Sequence, residues 1–201
     1  MKYFVRLLGL ISLFAIAGFA MAAESDPHAE DRAALLKVFR EIEAGINAQD
    51  VDRMVGQMDP AAVVTWLNGE VSRGHDQIRD YYNRMVKGDR RILNKYTTVA
   101  KVGAPAKFYG EVAVADGTTE DDFYPVARDA FHLSSNWTST SAKIDGQWKV
   151  VALHLSSNVF TNSLIEEAKR AAIYAGAGGA LIGLILGVVV GRLSRRRSAQ
   201  T

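Results

Sequence analysis

Two histidines lie in segments whose side-chain alternation could direct them into a pocket. In residues 148–156 the even-numbered side chains share one face of a predicted strand, which makes His154 and Ser156 the polar groups of that face. A histidine changes charge near neutral pH, and this property suits acid–base catalysis. The same pattern fits a histidine that is hydrogen-bonded at a sheet edge or at a dimer interface, so both interpretations stay open.

A second histidine belongs to the long segment before it, residues 126–143. His132, Asn136 and Thr138 share one face of that segment, and Asp129 lies near its start. A His–Asp pair in a pocket would suit proton transfer. Residues three apart point to opposite faces of a regular strand, so Asp129 could pair with His132 only across a bulge.

Aromatic side chains with a few polar groups usually line a small-molecule pocket. Three aromatic residues in the first half of the chain fit such a wall, although core packing explains them equally well. The candidate ligand-binding set is Trp66, Tyr81, Tyr82, Asn136, Thr138, His154 and Ser156.

No pattern in the sequence indicates a metal or a cofactor, and we expect neither. Asp116, Glu120, Asp121 and Asp122 lack the spacing of a calcium loop, so a solvated acidic turn is the better interpretation. The chain contains no cysteine, which excludes disulfides, thiolate metal sites and cysteine nucleophiles.

The elements that must position these residues begin with helices and end with strands. Apolar residues at helical spacing predict a first helix that starts at Asp31 as its cap and ends near Asn47. Two further helices are predicted over residues 51–58 and 75–86. Strands are predicted over residues 62–67, 70–73, 96–102, 107–115, 126–143 and 148–159, with an acidic loop over residues 116–122. This order is typical of an α+β domain.

The end of the chain carries a membrane-helix pattern. The uncharged run that begins at Ala171 and ends at Val190 has the length that spans a bilayer, roughly 20 residues. Arginines follow it in residues 192–201 and predict that this tail is cytoplasmic. A row of small residues at every fourth position predicts a helix-association face, formed by Gly179, Gly183, Gly187 and Gly191.

The start of the chain fits the same topology. Lys2 and Arg6 precede an apolar run that ends in Ala20-Met21-Ala22, which is the order of a secretory signal peptide. We therefore divide the chain into a signal peptide (residues 1–22), a folded domain (23–162), a stalk and membrane helix (163–191) and a basic tail (192–201). All acidic residues lie between the signal peptide and the membrane run, so the exported part is net negative and is not expected to bind nucleic acid.

Four motifs occur in the order of a known family. Residues 46–50 (Ile-Asn-Ala-Gln-Asp) are similar to its "N-A-x-D" after the first helix, and residues 62–64 lead through a hairpin to Arg73-Gly74. Residues 75–82, which follow Gly74, are similar to its "G-x-x-x-I-x-x-F/Y" helix, and residues 145–151 to its "D-G-x-W-K-I-V" strand. Over residues 29–160 the chain thus resembles the nuclear-transport-factor-two-like superfamily, and within it the SnoaL-like, ketosteroid-isomerase-like proteins. The resemblance implies a cone-shaped, curved antiparallel sheet that N-terminal helices cover around an apolar cup, commonly in a dimer.

The resemblance also allows one reaction to be tested on the sequence. The isomerases use a carboxylate base, with a tyrosine and a protonated carboxylic acid as oxyanion donors. On the family pattern, Ile42 takes the position of the tyrosine, Trp66 that of the base and Thr138 that of the second acid. None of the three side chains can perform that role, so an isomerase reaction is not expected.

Three functions remain, and we expect the first. The exported domain binds a small hydrophobic ligand or a membrane partner without catalysis. Alternatively, it is an isomerase, dehydratase or hydrolase that uses His154 or His132. As a third possibility it is a structural subunit whose glycine row joins other membrane helices, and a homo-oligomer is expected. The expected location is a bacterial inner membrane, with one bilayer-spanning helix and the domain on the periplasmic or extracellular side.

Overall fold

The structure is a computed structural model that describes residues 26–198 of the 201-residue chain, and the side chains of residues 26–192. The expected signal peptide lies outside the described residues, so its presence and cleavage stay predictions. The domain contains three helices, and a fourth follows it. They are α1 (Ala29–Asn47), α2 (Val51–Val55), α3 (Gly74–Val86) and α4 (Ser163–Ser198).

Residues 47–50, between α1 and α2, turn the chain and hydrogen-bond with the sheet and with α2. At the end of α1, the side-chain amide of Asn47 pairs with the backbone of Thr98. It donates to Thr98 O at 2.9 Å and accepts from Thr98 N at 2.8 Å. Gln49 adopts a φ of 55°, which turns the chain. Asp50 then caps α2 by accepting a hydrogen bond from the backbone N–H of Arg53 at 3.0 Å. These contacts fix the end of α1 against the sheet.

Seven strands form one open sheet in the order β2-β1-β7-β6-β5-β3, with β4 paired to β5. The β1–β7 pair is parallel and the other pairs are antiparallel. The strands are β1 (Met58–Thr65), β2 (Val71–Arg73), β3 (Leu93–Val102), β4 (Lys107–Tyr109), β5 (Val112–Pro125), β6 (Phe131–Ile144) and β7 (Gln147–Ser157). The α+β class with a curved sheet is confirmed, with one parallel pair that the sequence pattern did not indicate.

Two predictions on the third quarter of the chain are wrong. The strand expected over residues 107–115 is a hairpin, because Gly110 turns the chain at a φ of 64° between β4 and β5. The acidic loop expected over residues 116–122 is the middle of β5, where both neighbouring strands pair with it. Sheet pairing therefore overrides the preference of acidic residues for solvent-exposed turns.

The start of α1 and the ends of α2 and β7 also differ from expectation. α1 begins at Ala29, so Asp31 lies in its first turn instead of capping it. Asp31 accepts hydrogen bonds from Lys143 Nζ at 2.9 Å and Trp148 Nε1 at 2.8 Å, which ties α1 to the last two strands. α2 ends at Val55, and β7 ends at Ser157.

The hydrophobic core lies between the three helices and the inner face of the sheet. Its most deeply buried large side chains include Met54, Met58, Ile78 and Val64. Among the described residues no part of α4 belongs to this core. The core therefore forms from residues before α4, and a fragment of residues 23–170 keeps both this core and the first turns of α4, which contact the domain through Ser163 and Glu167.

Candidate functional site

A cavity of about 350 Å³ lies between the helices and the inner face of the sheet. Side chains from both layers form its walls, among them Leu35, Phe39 and Ile42 of α1 and Val150, Leu153 and Leu155 of β7. The lining is almost entirely apolar. Leu36 on α1 and Val102 on β3 line it and are 48% and 43% exposed, so the cavity reaches solvent between these two elements.

The three predicted aromatic residues all line this cavity. Trp66 and Tyr81 stack with ring centroids 4.2 Å apart, and Trp66 Nε1 donates to Ser72 Oγ at 2.9 Å. The Tyr82 hydroxyl donates to Ile46 O at 3.1 Å. Burial is the main cause that raises the pKa of both tyrosines to about 12, so both hydroxyls keep their protons.

One polar cluster on the inner face of the sheet was not predicted. Asp121 is 1% exposed. Its Oδ1 accepts a hydrogen bond from the Tyr96 hydroxyl at 2.8 Å, and its Oδ2 accepts one from Thr119 Oγ1 at 2.6 Å. Tyr96 and Thr119 line the cavity. In the sequence Asp121 stands between Glu120 and Asp122, and that charged context concealed its burial.

His154 and Ser156 were expected to face the cup, and this placement is wrong. Thr140 pairs with Ala152 while Ser141 pairs with Val150, so Val151 is an extra residue in β7. This bulge reverses the alternation beyond it. Leu153 and Leu155 consequently line the cavity, and His154 and Ser156 are exposed on the outer face.

The predicted polar groups of β6 also lie on the outer face. Asn136, Thr138 and His132 share one face, as expected, but all three are exposed, while Trp137 points inward and lines the cavity. Their expected place in the cup is therefore wrong. The register with β5 directs Leu133, Ser135 and Trp137 inward.

His132 does not pair with Asp129. Its Nδ1 lies 2.9 Å from Asp122 Oδ1 and its Nε2 lies 2.8 Å from Glu120 Oε2, both on the neighbouring strand β5. The hydrogen bonds to Asp122 and then to Glu120 raise the pKa of His132 above its ordinary value. Asp129 lies in the β5–β6 connection. The result is a surface ion-pair cluster, outside the cavity.

Two of the three isomerase positions fall on the cavity. Ile42 and Trp66 line it, and Thr138 is on the outer face. In the described part of the chain, no group of three His, Cys, Asp or Glu side chains could hold a metal ion.

The helix α4 extends away from the domain. Within residues 163–192 it is long and apolar enough to span a membrane, and none of its most apolar window is buried. Its first turn is capped by Asn162 Oδ1, which accepts from Ile165 N at 3.0 Å, while Ser163 Oγ donates to His132 O. A Cβ placed on Gly179, Gly183, Gly187 or Gly191 would meet no atom within 4 Å, so this row lies open.

Comparison with known proteins identifies the fold. No protein-family model and no curated protein matches the sequence. Among solved structures, a hexachlorocyclohexane dehydrochlorinase from Novosphingobium barchaimii is 18% identical, with a TM-score of 0.58 over 66% of this chain and 90% of its own. A nuclear transport factor 2-like superfamily protein from Salmonella enterica is 20% identical, with a TM-score of 0.53 over 64% of this chain and 91% of its own.

A third structure, a protein with a cystatin-like fold from Caulobacter vibrioides, is 15% identical, with a TM-score of 0.55 over 64% of this chain and 90% of its own. At such identities the likeness concerns the fold and not the activity. The element order, the sheet topology and these structural neighbours together show that the domain has the nuclear transport factor 2-like fold.

Proposed function

We propose that the domain binds a small, largely apolar molecule in its cavity and does not transform it. The cavity itself carries this proposal. Its volume of about 350 Å³ falls within the range of ligand pockets, roughly 300–1,000 Å³. An apolar wall with a stacked Trp66–Tyr81 pair and one polar cluster is the usual composition of such pockets.

The positions of the histidines support binding over acid–base catalysis. The enzyme hypothesis relied on His154 or His132 in the cup, and both are on the outer face. Tyr81 and Tyr82 keep their protons at neutral pH, since burial raises the pKa of each to about 12. The dehydrochlorinase shares the fold, and a shared fold alone does not transfer its reaction.

The binding test uses a substitution on β5 that places a larger side chain in the cavity. Ala115 of β5 lines the cavity, whereas its neighbour Val114 is 39% exposed on the opposite face. We expect the domain (residues 23–170) to bind N-phenyl-1-naphthylamine at one saturable site, measured by the increase of its fluorescence. Ala115→Leu should weaken this binding at least tenfold, and the control Val114→Leu should leave it unchanged. Absence of saturable binding, or equal affinity in both variants, contradicts the proposal.

We also propose that α4 anchors the protein in a bacterial inner membrane, with the domain on the periplasmic or extracellular side. Three features support this proposal: the uncharged run of residues 171–190, its lack of burial against the domain, and the arginines at 192 and 195–197. The net negative charge before the run agrees with export.

A pair of substitutions at the middle of the run tests the anchor. A charged residue at the centre of a membrane helix costs roughly 2.5–3.5 kcal/mol on insertion scales. Leu184→Arg should therefore shift the full-length protein from the membrane to the soluble fraction after alkaline extraction, while Leu184→Phe should remain in the membrane. Equal recovery of both variants from the soluble fraction contradicts the anchor.

We further propose that two copies of the chain associate through the row of Gly179, Gly183, Gly187 and Gly191. Small residues let two helix backbones approach closely in lipid, where apolar burial gives no drive. Gly183→Leu should lower the apparent mass of the full-length protein in mild detergent. Gly178→Leu, which lies off the row, should not. Unchanged mass in Gly183→Leu contradicts this association.

A further inference from the structure

Asp121 accepts both hydrogen bonds of its cluster. A carboxylate only accepts hydrogen bonds, and a hydroxyl has one proton to donate. The Tyr96 and Thr119 hydroxyls both donate to Asp121. Their protons are therefore committed, and both oxygens can offer only lone pairs to a molecule in the cavity.

The surroundings of Asp121 hold this direction in place. Asp121 is 1% exposed, and its side chain accepts one hydrogen bond from each of the two hydroxyls. These two bonds compensate its burial, since buried polar groups are normally hydrogen-bonded. Burial, followed by the charge of Asp121, raises the pKa of Tyr96 well above its usual value, so the tyrosine remains a donor.

One other polar atom of a lining residue lacks a partner. Trp137 is 6% exposed, and its Nε1 has no hydrogen-bond partner among the residues that the structure describes. Buried polar atoms nearly always have one. Thr98, which stands opposite Asp121 in the β3–β5 pair, contributes a hydrogen bond to Tyr96. Trp137 Nε1 can therefore donate to a ligand, whereas Tyr96 and Thr119 can accept from it.

We propose that the cavity recognises an alcohol: a compact apolar molecule whose hydroxyl donates to Tyr96 or Thr119 and accepts from Trp137. A hydroxyl is the simplest group that does both. A ketone or ether can only accept, and an ammonium group can only donate. This inference rests on the binding function proposed above and specifies the ligand of the same cavity. Asp121 acts as a positioning residue, because it orients the two hydroxyls.

The test compares 1-adamantanol with 1-methoxyadamantane, which keeps the oxygen but has no proton to donate. Affinities are measured on residues 23–170 by displacement of N-phenyl-1-naphthylamine. One hydrogen bond to a buried, polarised acceptor corresponds to about a tenfold difference in affinity. We expect the alcohol to bind about tenfold more tightly than the ether.

Variants locate the acceptor. Tyr96→Phe or Thr119→Val, whichever removes the accepting oxygen, should reduce the alcohol-to-ether ratio, with the affinity for the ether retained. Tyr109→Phe is the matched control, because Tyr109 is 64% exposed on β4, and its ratio should equal that of the wild type. Thr119→Val gives an independent reading should Tyr96→Phe fail to fold.

Other outcomes overturn the proposal, and they separate it from the binding function. Equal affinity of the wild type for both compounds refutes the alcohol inference while the cavity remains a binding site. A tenfold ratio that persists in both variants also refutes it, because the preference then arises elsewhere. Binding of neither compound, together with no binding of the fluorescent probe, refutes the binding function and this inference with it.

Discussion

Gly117 is the position where the structure predicts the largest effect of one added methyl group. A Cβ at this residue would lie 1.9 Å from Lys101 O on β3, and 2.7 and 2.8 Å from two ring atoms of Trp137 on β6. Backbone blocks one side, and an indole that also contacts Phe39, at a centroid distance of 5.4 Å, blocks the other. Gly117→Ala must therefore move a strand, a ring or both.

The expected loss can be estimated from overpacking. Extra methyl groups in a packed interior cost about 1–3 kcal/mol, occasionally more, and the backbone contact places Gly117→Ala at the upper end. For a domain of this size, a loss of about 3 kcal/mol lowers Tm by roughly 10 °C. Because the displaced indole lines the cavity, the affinity for N-phenyl-1-naphthylamine should fall as well.

The assay is thermal unfolding of residues 23–170, followed by near-UV circular dichroism, which reports side-chain packing. Thr118→Ala is the control, since Thr118 is the next residue on β5 and is exposed on the other face. Its Tm should stay within about 2 °C of the wild type, as is usual for surface substitutions. A Gly117→Ala variant that melts and binds like the wild type would show that the Trp137 ring does not lie across Gly117.

Three other predictions concern stability. Gly45→Ala should lower Tm by several degrees although alanine favours helices, because its Cβ would lie 2.9 Å from Met54 N and 3.0 Å from Asp50 O. Hydrogen bonds from Lys143 and then from Trp148 lower the pKa of Asp31. Urea unfolding should therefore show a lower free energy of unfolding for Asp31→Asn than for the wild type above a pH of about 4. This difference should disappear as the pH falls through the lowered pKa. The pKa of His132 is raised, so its effect on stability has the opposite pH dependence. The wild type should have a higher free energy of unfolding than His132→Gln at a pH of about 5.5–6.5, and this difference should vanish as the pH rises through the raised pKa.

Local patterns were sufficient for the helices and for most of the strands. The spacing of apolar residues predicted α3, which the structure begins at Gly74, one residue earlier than expected. The hairpin predicted between residues 62–64 and Arg73 is the β1–β2 pair, in whose turn Gly69 has a φ of 83°. These features depend on residues that are close in the sequence. The aromatic wall was predicted for the same reason, since helical spacing places Tyr81 and Tyr82 on the side of α3 that faces the sheet.

The polar groups of the cavity could not be predicted, because partners distant in the sequence determine them. Val150 and Val151 are both apolar, so nothing in β7 alone shows that Val151 is the extra residue; only the pairing with Thr140 and Ser141 shows it. In the sequence, Asp121 likewise looks like one of several surface acids. Only the pairing of β3 with β5 shows that Tyr96 hydrogen-bonds it. In β7 the extra residue Val151 moves the residues beyond it to the opposite face. In β6 alternation grouped His132, Asn136 and Thr138 correctly, and the register with β5 places that group on the outer face.

The extra residue in β7 determines what the cavity can recognise. Without the extra residue, His154 and Ser156 would replace Leu153 and Leu155 in the cavity wall. The wall would then contain a titratable imidazole and a hydroxyl, both of which hydrogen-bond water. With the bulge, the β7 side is aliphatic, and the Asp121 cluster and Trp137 lie on the β3, β5 and β6 side. A ligand with one hydroxyl and an apolar body can then satisfy the Asp121 cluster in a single orientation. A ligand with polar groups at both ends would leave one of them buried against Leu153 and Leu155 without a partner, and that penalty is the physical source of the selectivity proposed here.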